Sequence, residues 1–408
     1  AVILGALRVA DDEVVDGGAV LAAHHAGDSA HARQDAGPQT TLFYSPGRKN
    51  LSQYYAVSLR ERILGLAAGA RLVSFDIFDT LLVRPWYAAD NVFAFLERKA
   101  AQRFGIAHFA LLRKQADQLA RQQHPGVGAN IVQVYRALPS LASCSEAQAD
   151  AIMALERETE LAMLHPHHEI CEAARTLASQ GKRLVLVSDM YLDSAFLRQV
   201  LARHDLDFFD ALYVSNETGA RKDTGAMWNL LPQHEQVEKS QWLHVGDNEH
   251  SDIQRPVDQG FLHPVHVLRA ADQFMLFNEE AAAWMAPGQW QEGLLLGLMA
   301  NHIFLPGCAA APIDIDCIRR RVCIHSLHDF GYLTIGPALT SFMAWLLQRA
   351  QVDGIGQLLY ASREGHLLVQ AHEQIARHLT PLGAAPVPGA YLLCSRAATG
   401  LAAIQSPD

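Results

Sequence analysis

The chain has 408 residues, enough for two or three domains at ~100–200 residues each. Half of it is hydrophobic, 19% is charged and the formal net charge is -10, which excludes a disordered chain and leaves no basic footprint for nucleic acid or anionic lipid. The six cysteines, at 144, 171, 308, 317, 323 and 394, form no CxxC pair and read as reduced thiols of a cytoplasmic protein.

The opening AVILGALRVA has no Lys/Arg cluster ahead of its apolar run and does not read as a signal peptide. The absent initial Met and the closing SPD read as a piece of a longer chain. Residues 1–50 are an unassigned tail or linker. His24, His25, Asp28 and His31 could be drawn there as a metal cluster, but a solvated loop is the simpler account. A helix is expected over 51–70 and a strand over Leu72–Phe78. From Trp86 to Leu164 apolar residues recur at helical spacing, with Ser145 and Gln148 as a capping box. A helix closed by Gly181 leads to strand 183–189, a helix N-capped by Asp193, strand 211–215, another helix, strand 242–247 and a short strand over 264–268.

This alternation predicts an α/β fold with a Rossmann-like parallel sheet. Its core comprises 51–80 and 181–272, with a helical insertion over 81–180. A further α/β region spans 280–408 and is cut off at its end; strand, helix and strand are expected near 357–362, 365–378 and 390–395. The apolar run Gly293–Phe304, broken by Asn301 and His302, falls short of the ~20 residues of a membrane helix, so no span is expected.

Four strings stand at strand ends in the core: FDIFDT (75–80), VSD (187–189), RKDTG (221–225) and GDNEHSD (246–252). The carboxyl ends of parallel strands form the ligand crevice, so the strings converge there. They supply what phosphoryl transfer needs. Asp76 can attack phosphorus as a nucleophile. Asp76, Asp247 and Asp252 can hold Mg2+, a hard cation that takes oxygen ligands. Lys222 adds fixed positive charge, and Ser188 a hydroxyl for a phosphoryl oxygen. For each residue alone there is a structural account: an acid at a helix N-terminus, a buried serine, a loop aspartate at 189.

The four strings in this order resemble the signature motifs of the haloacid dehalogenase (HAD) superfamily of hydrolases, over roughly 71–270. The resemblance implies a HAD-like core with the 81–180 block as a cap over the site. It implies Asp76 as nucleophile, Phe78 as a backbone-carbonyl metal ligand, Ser188 as the phosphate-binding hydroxyl, Lys222 as the motif lysine and Asp247 and Asp252 as metal acids. One departure stands out. The family's phosphatases carry a second acid two residues after the nucleophile, where this chain has Phe78; Asp79 follows, where many members have glycine. Successive side chains of an extended segment point to opposite faces, so the reach of Asp79 depends on the turn that begins there. FDIFDTLLVRP, VSDMYL, and the C-terminal YASREGHLL (360–368) and LLCSRAA (392–398) further resemble a bacterial subgroup encoded with, or fused to, glycosyltransferases of cell-surface polysaccharide synthesis.

The expected activity is therefore a Mg2+-dependent phosphatase or phosphotransferase on a small phosphorylated metabolite, a sugar phosphate or nucleotide sugar, with a glycosyltransferase domain or partner. Phe78 keeps two alternatives open: a non-hydrolytic binding or scaffolding module in polysaccharide assembly, and a metal-independent dehalogenase.

Overall fold

The computed structural model describes residues 57–124, 128–262, 264–277, 290–305, 324, 326–379 and 386–394. The 1–50 segment with its histidines, and Cys308, Cys317 and Cys323, lie outside the described residues. The chain divides into two compact units, with the boundary between residues 323 and 324.

The larger unit begins with helix α1, Leu59–Ala67, capped reciprocally by Ser58 and Glu61. Strand β1, Leu72–Phe75, is buried at every residue, as a central strand covered on both faces must be. The short strand β2, Leu82–Val83, leads into four helices: α2 (Asn91–Phe104), α3 (Phe109–Gln123), α4 (Ile131–Leu141) and α5 (Glu146–Met163). The Ser145/Gln148 capping box is present at the start of α5. Inside the block, Glu156 of α5 receives Arg113 at 2.8 and 2.9 Å, and Glu160, one turn on, receives Arg84. Strand β3, His165–Pro166, returns antiparallel to β2 and ties the two ends of the helical block together.

Helix α6, His168–Ser179, packs on α1 and on the sheet strand that follows it. The helical insertion read over 81–180 thus closes at β3, and α6 serves the core. Next come β4 (Arg183–Ser188), α7 (Ser194–Arg203, N-capped by Asp193), β5 (Ala211–Val214), α8 (Ala226–Glu235), β6 (Trp242–Gly246) and β7 (Val265–His266). The sheet is parallel throughout, in the order β5-β4-β1-β6-β7. The chain builds outward from β1 on one side and then jumps back to its other side. The carboxyl end of β1 is therefore the switch point, where an open parallel sheet leaves a crevice.

Two further helices complete this unit, α9 (Ala270–Phe277) and α10 (Trp290–Phe304). Helix α10 packs on α2 and α9, so the C-terminal region read from 280 onward starts at 324 instead. Trp290 sits edge-on to Phe95 at 5.2 Å.

In the smaller unit, residues Leu327–Val352 form one continuous helical stretch of 26 residues that ends in α11, Gly336–Val352. By length and composition it meets the criterion for a membrane span, which core helices of soluble proteins also meet. The sequence reading weighed the Gly293–Phe304 run and not this one. Strand β8 (Leu358–Ala361), helix α12 (Gly365–Leu379) and the parallel strand β9 (Gly389–Leu392) follow, in the predicted order.

Candidate active site

Strand register brings the four strings to one edge of the sheet. Phe75 is level with Leu186 of β4 and with Val245 of β6, so Asp76, Ser188 and Asp247 leave three neighbouring strands within about two residues of the same level. The backbone N–H of Asp76 donates to Val245 O at 2.9 Å and continues the ladder to this edge. Oxygens of Asp76, Asp247 and Asp252 lie within 4.8 Å of one another. Lys222 Nζ donates to Asp76 Oδ1 and to Asp252 Oδ1, both at 2.6 Å, and is 3% exposed. Ser188 closes β4, nearly fully buried.

Local structure explains how these groups are held. The Asp189 carboxylate accepts the backbone N–H of Lys222 at 2.9 Å, so an acid read as a loop residue fixes the lysine's approach. Asn248 Oδ1 accepts the N–H groups of His250 and Ser251, and opens the π-helical turn Glu249–Gln254 that carries Asp252. Asn248 N in turn donates to Asp252 Oδ2 at 3.1 Å. His250 Nε2 and Arg255 Nε donate to Asp223 O, which ties this turn to the lysine loop. Gly246 is required: a Cβ there would lie 2.6 Å from the Asp252 side chain.

Behind the acids lies a buried relay that sequence reasoning missed. Trp242 Nε1 donates to Ser74 Oγ at 2.7 Å, and Ser74 Oγ lies 2.7 Å from His244 Nδ1. His244 Nε2 lies 3.2 Å from Asp252 Oδ1. The indole can only donate, so the hydroxyl proton goes to Nδ1 and the imidazole donates from Nε2. Asp252 therefore receives Lys222 and His244 on one oxygen and Asn248 N on the other. The signal was available in the alternation of Trp242, His244 and Gly246 along β6, but its partner Ser74 is set by cross-strand register with His244.

Electrostatics separate the three acids. Burial pushes the Asp76 carboxyl up to about 7 against the pull of Lys222, with Asp252 adding to the rise. Burial, then Asp76, Asp252 and Asp79, push Asp247 well above the carboxylate range. Burial works the same way on Asp252, but Lys222 and His244 outweigh it and hold that carboxyl below its usual value. Lys222 stays cationic: burial disfavours the charge, while Asp252, Asp76 and Asp189 raise its pKa. Burial keeps His244 neutral by lowering its pKa. Three clustered oxygen acids thus face one bridging lysine, and the uncompensated negative charge fits a hard divalent cation such as Mg2+.

Phe78 turns its ring to the guanidinium of Arg84, 4.5 Å from the ring centre, so no acid stands at that position. Asp79 has φ 55°, the left-handed region that favours glycine and tolerates aspartate. That conformation turns the chain, and Asp79 lines a narrow cleft beside the acid cluster, where its charge acts on Asp247.

Residues 70–254 match the family described as haloacid dehalogenase-like hydrolase. No curated protein matches the chain. Among solved structures, a predicted phosphoglycolate phosphatase from Haemophilus somnus 129pt aligns at 15% identity over 50% of this chain and 91% of its own, with a TM-score of 0.34. The L-2-haloacid dehalogenase from Xanthobacter autotrophicus aligns at 19% identity over 54% and 87%, with a TM-score of 0.37. The putative HAD-hydrolase YfnB from Bacillus subtilis, bound to magnesium, aligns at 19% identity over 47% and 86%, with a TM-score of 0.34.

Proposed function

We propose that the haloacid dehalogenase-like hydrolase domain over residues 70–254 is a Mg2+-dependent phosphohydrolase or phosphotransferase that works through an aspartyl-phosphate on Asp76. The observation that carries this reading is the cluster of Asp76, Asp247 and Asp252 with Lys222 bridging two of them. Asp76, Asp247 and Asp252 would hold the ion, joined by the Phe78 carbonyl as the motif resemblance implies. Bound there, a divalent cation supplies positive charge against a dianionic phosphoryl group.

The protein's own groups account for the rest. Ionised Asp76 attacks phosphorus, and the O–P bond forms as the bond to the leaving oxygen breaks. Lys222 anchors the nucleophile and stays protonated throughout. The Ser188 hydroxyl, at the same edge, donates to a phosphoryl oxygen. Asp79 faces the cleft on the leaving-group side, protonates the departing oxygen and then takes a proton from the water that cleaves the aspartyl-phosphate. An acyl phosphate or nucleoside diphosphate leaves with little protonation and would depend on Asp79 least.

The substrate we assign is a small phosphorylated metabolite, a sugar phosphate or nucleotide sugar, in a cytoplasmic setting with a glycosyltransferase domain or partner. The sequence resemblance of FDIFDTLLVRP and the C-terminal strings supports that assignment. The test is turnover of a generic aryl phosphate and a metabolite panel, with and without Mg2+. Loss of activity in Asp76→Asn is expected, and turnover at the wild-type rate would sink the mechanism. Phe78 at the acid's position favours the competing reading, a non-hydrolytic binding module. That reading predicts a glycosyltransferase complex with no turnover of any phosphate.

A further inference from the structure

The cleft beside Asp79 is built largely from residues outside the four strings. Arg84 and Trp86 come from the chain entering the helical block, and His167 from the chain returning. Arg269 follows β7, and Asn301 belongs to α10. Both of these lie beyond residue 254, where the family match ends. Helix α10 is seated firmly. Tyr87 N donates to Gly293 O at 2.8 Å, and Asn301 Nδ2 donates to Arg84 O at 2.8 Å. A Cβ on Gly297 would lie 2.6 Å from the Trp86 carbonyl carbon, so the close approach needs glycine. A wall so placed is a constructed feature of the site's surroundings.

The cleft is rich in unspent donors. Arg84 commits Nε and Nη2 to Glu160 and lies over the Phe78 ring. Arg269 commits Nε and Nη2 to Asp272, both at 2.7 Å, and its Nη1 has no partner among the described residues. The charges of Asp79 and Asp247 act on this guanidinium after that of Asp272, which places it between the acid cluster and the cleft. Trp86 and His167 are each 5% exposed, yet Trp86 Nε1 and His167 Nδ1 have no hydrogen-bond partner among the described residues. A buried indole N–H without an acceptor costs about 1–3 kcal/mol, so such a group in the wall of a cleft marks a place for an acceptor from outside.

We infer that this cleft binds the leaving group of the substrate and selects one that carries a second anionic group, a carboxylate or a phosphate, held by Arg269 and the Trp86 indole. The inference rests on the phosphohydrolase reading above. Asp79 marks the reacting end of the cleft and Arg269 its selective wall. The specificity element is thus supplied by the segment after β7, together with the helical block.

The experiment compares matched esters with Mg2+ present. One pair is 3-phosphooxypropanoate and its amide; the other is 1,3-propanediol bisphosphate and the monophosphate. The wild type is expected to prefer the anionic member by on the order of 10- to 100-fold in kcat/KM, the worth of a charge-assisted hydrogen bond. Arg269→Gln brings that ratio towards unity, and Arg269→Lys keeps part of it. The two pairs tell a carboxylate site from a phosphate site. The same pairs are measured as ligands of Asp76→Asn by calorimetry, which reads selection without turnover. Asp76-dependent turnover with no preference between members, or equal losses on both members in Arg269→Gln, overturns this inference and leaves the phosphohydrolase reading standing. Absence of turnover on every phosphate, with selective binding kept, does the reverse.

Discussion

Lys222 is the most informative single residue to remove. Its Nζ bridges Asp76 and Asp252 at 2.6 Å each, with the three side chains between 1% and 8% exposed. Lys222→Met keeps the bulk of the side chain and deletes the charge, which leaves two buried carboxylates unpaired beside Asp247. Breaking a buried pair from one side costs about 3–5 kcal/mol. At ~2–4 °C per kcal/mol for a domain of this size, the metal-free protein should lose roughly 6–20 °C in Tm. The loss should depend on pH with a defined sign. The folded pKa of Asp76, about 7, lies above its ordinary 3.8, so the ionised form is the disfavoured one and stability falls as pH rises through that window. Without Lys222 the disfavour grows. The gap between wild type and variant should therefore be wide at pH 8 and narrow at pH 5, where a proton replaces the lysine. Mg2+ should narrow it at pH 8 for the same reason. Urea denaturation at both pH values, in chelator and in Mg2+, measures all four cases. Equal stability of the two proteins at pH 8 in chelator, or an equal gap at both pH values, would refute this account of the site's charge balance.

His244→Leu should weaken Mg2+ binding by about 10- to 100-fold through Asp252, measured by calorimetry, and 15N NMR of the wild-type imidazole should show the proton on Nε2. Unchanged affinity, or the proton on Nδ1, would remove the relay from the site. Gly246→Ala should abolish activity while the protein stays folded, since its Cβ would displace the Asp252 carboxylate; wild-type kcat contradicts the packing described. Burial pushes His167 down to about 4 from 6.5, so it contributes stability that is present above pH 6.5 and lost as pH falls towards 4. His167→Asn should flatten that acid limb by up to about 3 kcal/mol, and an unchanged stability profile between pH 4 and 6.5 counts against the assignment.

Much of the core was legible because its signals are short-range. A buried run ending in an acid, as in LVSFD, needs no partner to be recognised, and the Ser145/Gln148 box and the Asp193 cap are made between residues three apart. The end of the helical insertion was misread because α6 has the same periodicity as the helices before it. What assigns it to the core is the face it presents to α1 and β4. The start of the C-terminal region was misread for a related reason: α10 is helical wherever it packs, and Gly293 and Gly297 acquire meaning only against the Arg84–Tyr87 segment.

By itself, the sequence determined the order of strands and helices and the residues that stand at strand ends, Asp76, Ser188 and Asp247 among them. Those follow from periodicity and from the positions of acids after apolar runs. Tertiary structure alone decided how these groups work together. Lys222 meets Asp76 across 146 positions of chain, and Ser74 meets His244 across 170, through strand register that no local pattern encodes. The direction of Asp79 was decided by the sign of one dihedral angle, φ 55°, because in a turn the handedness of a single residue sets which way a side chain faces.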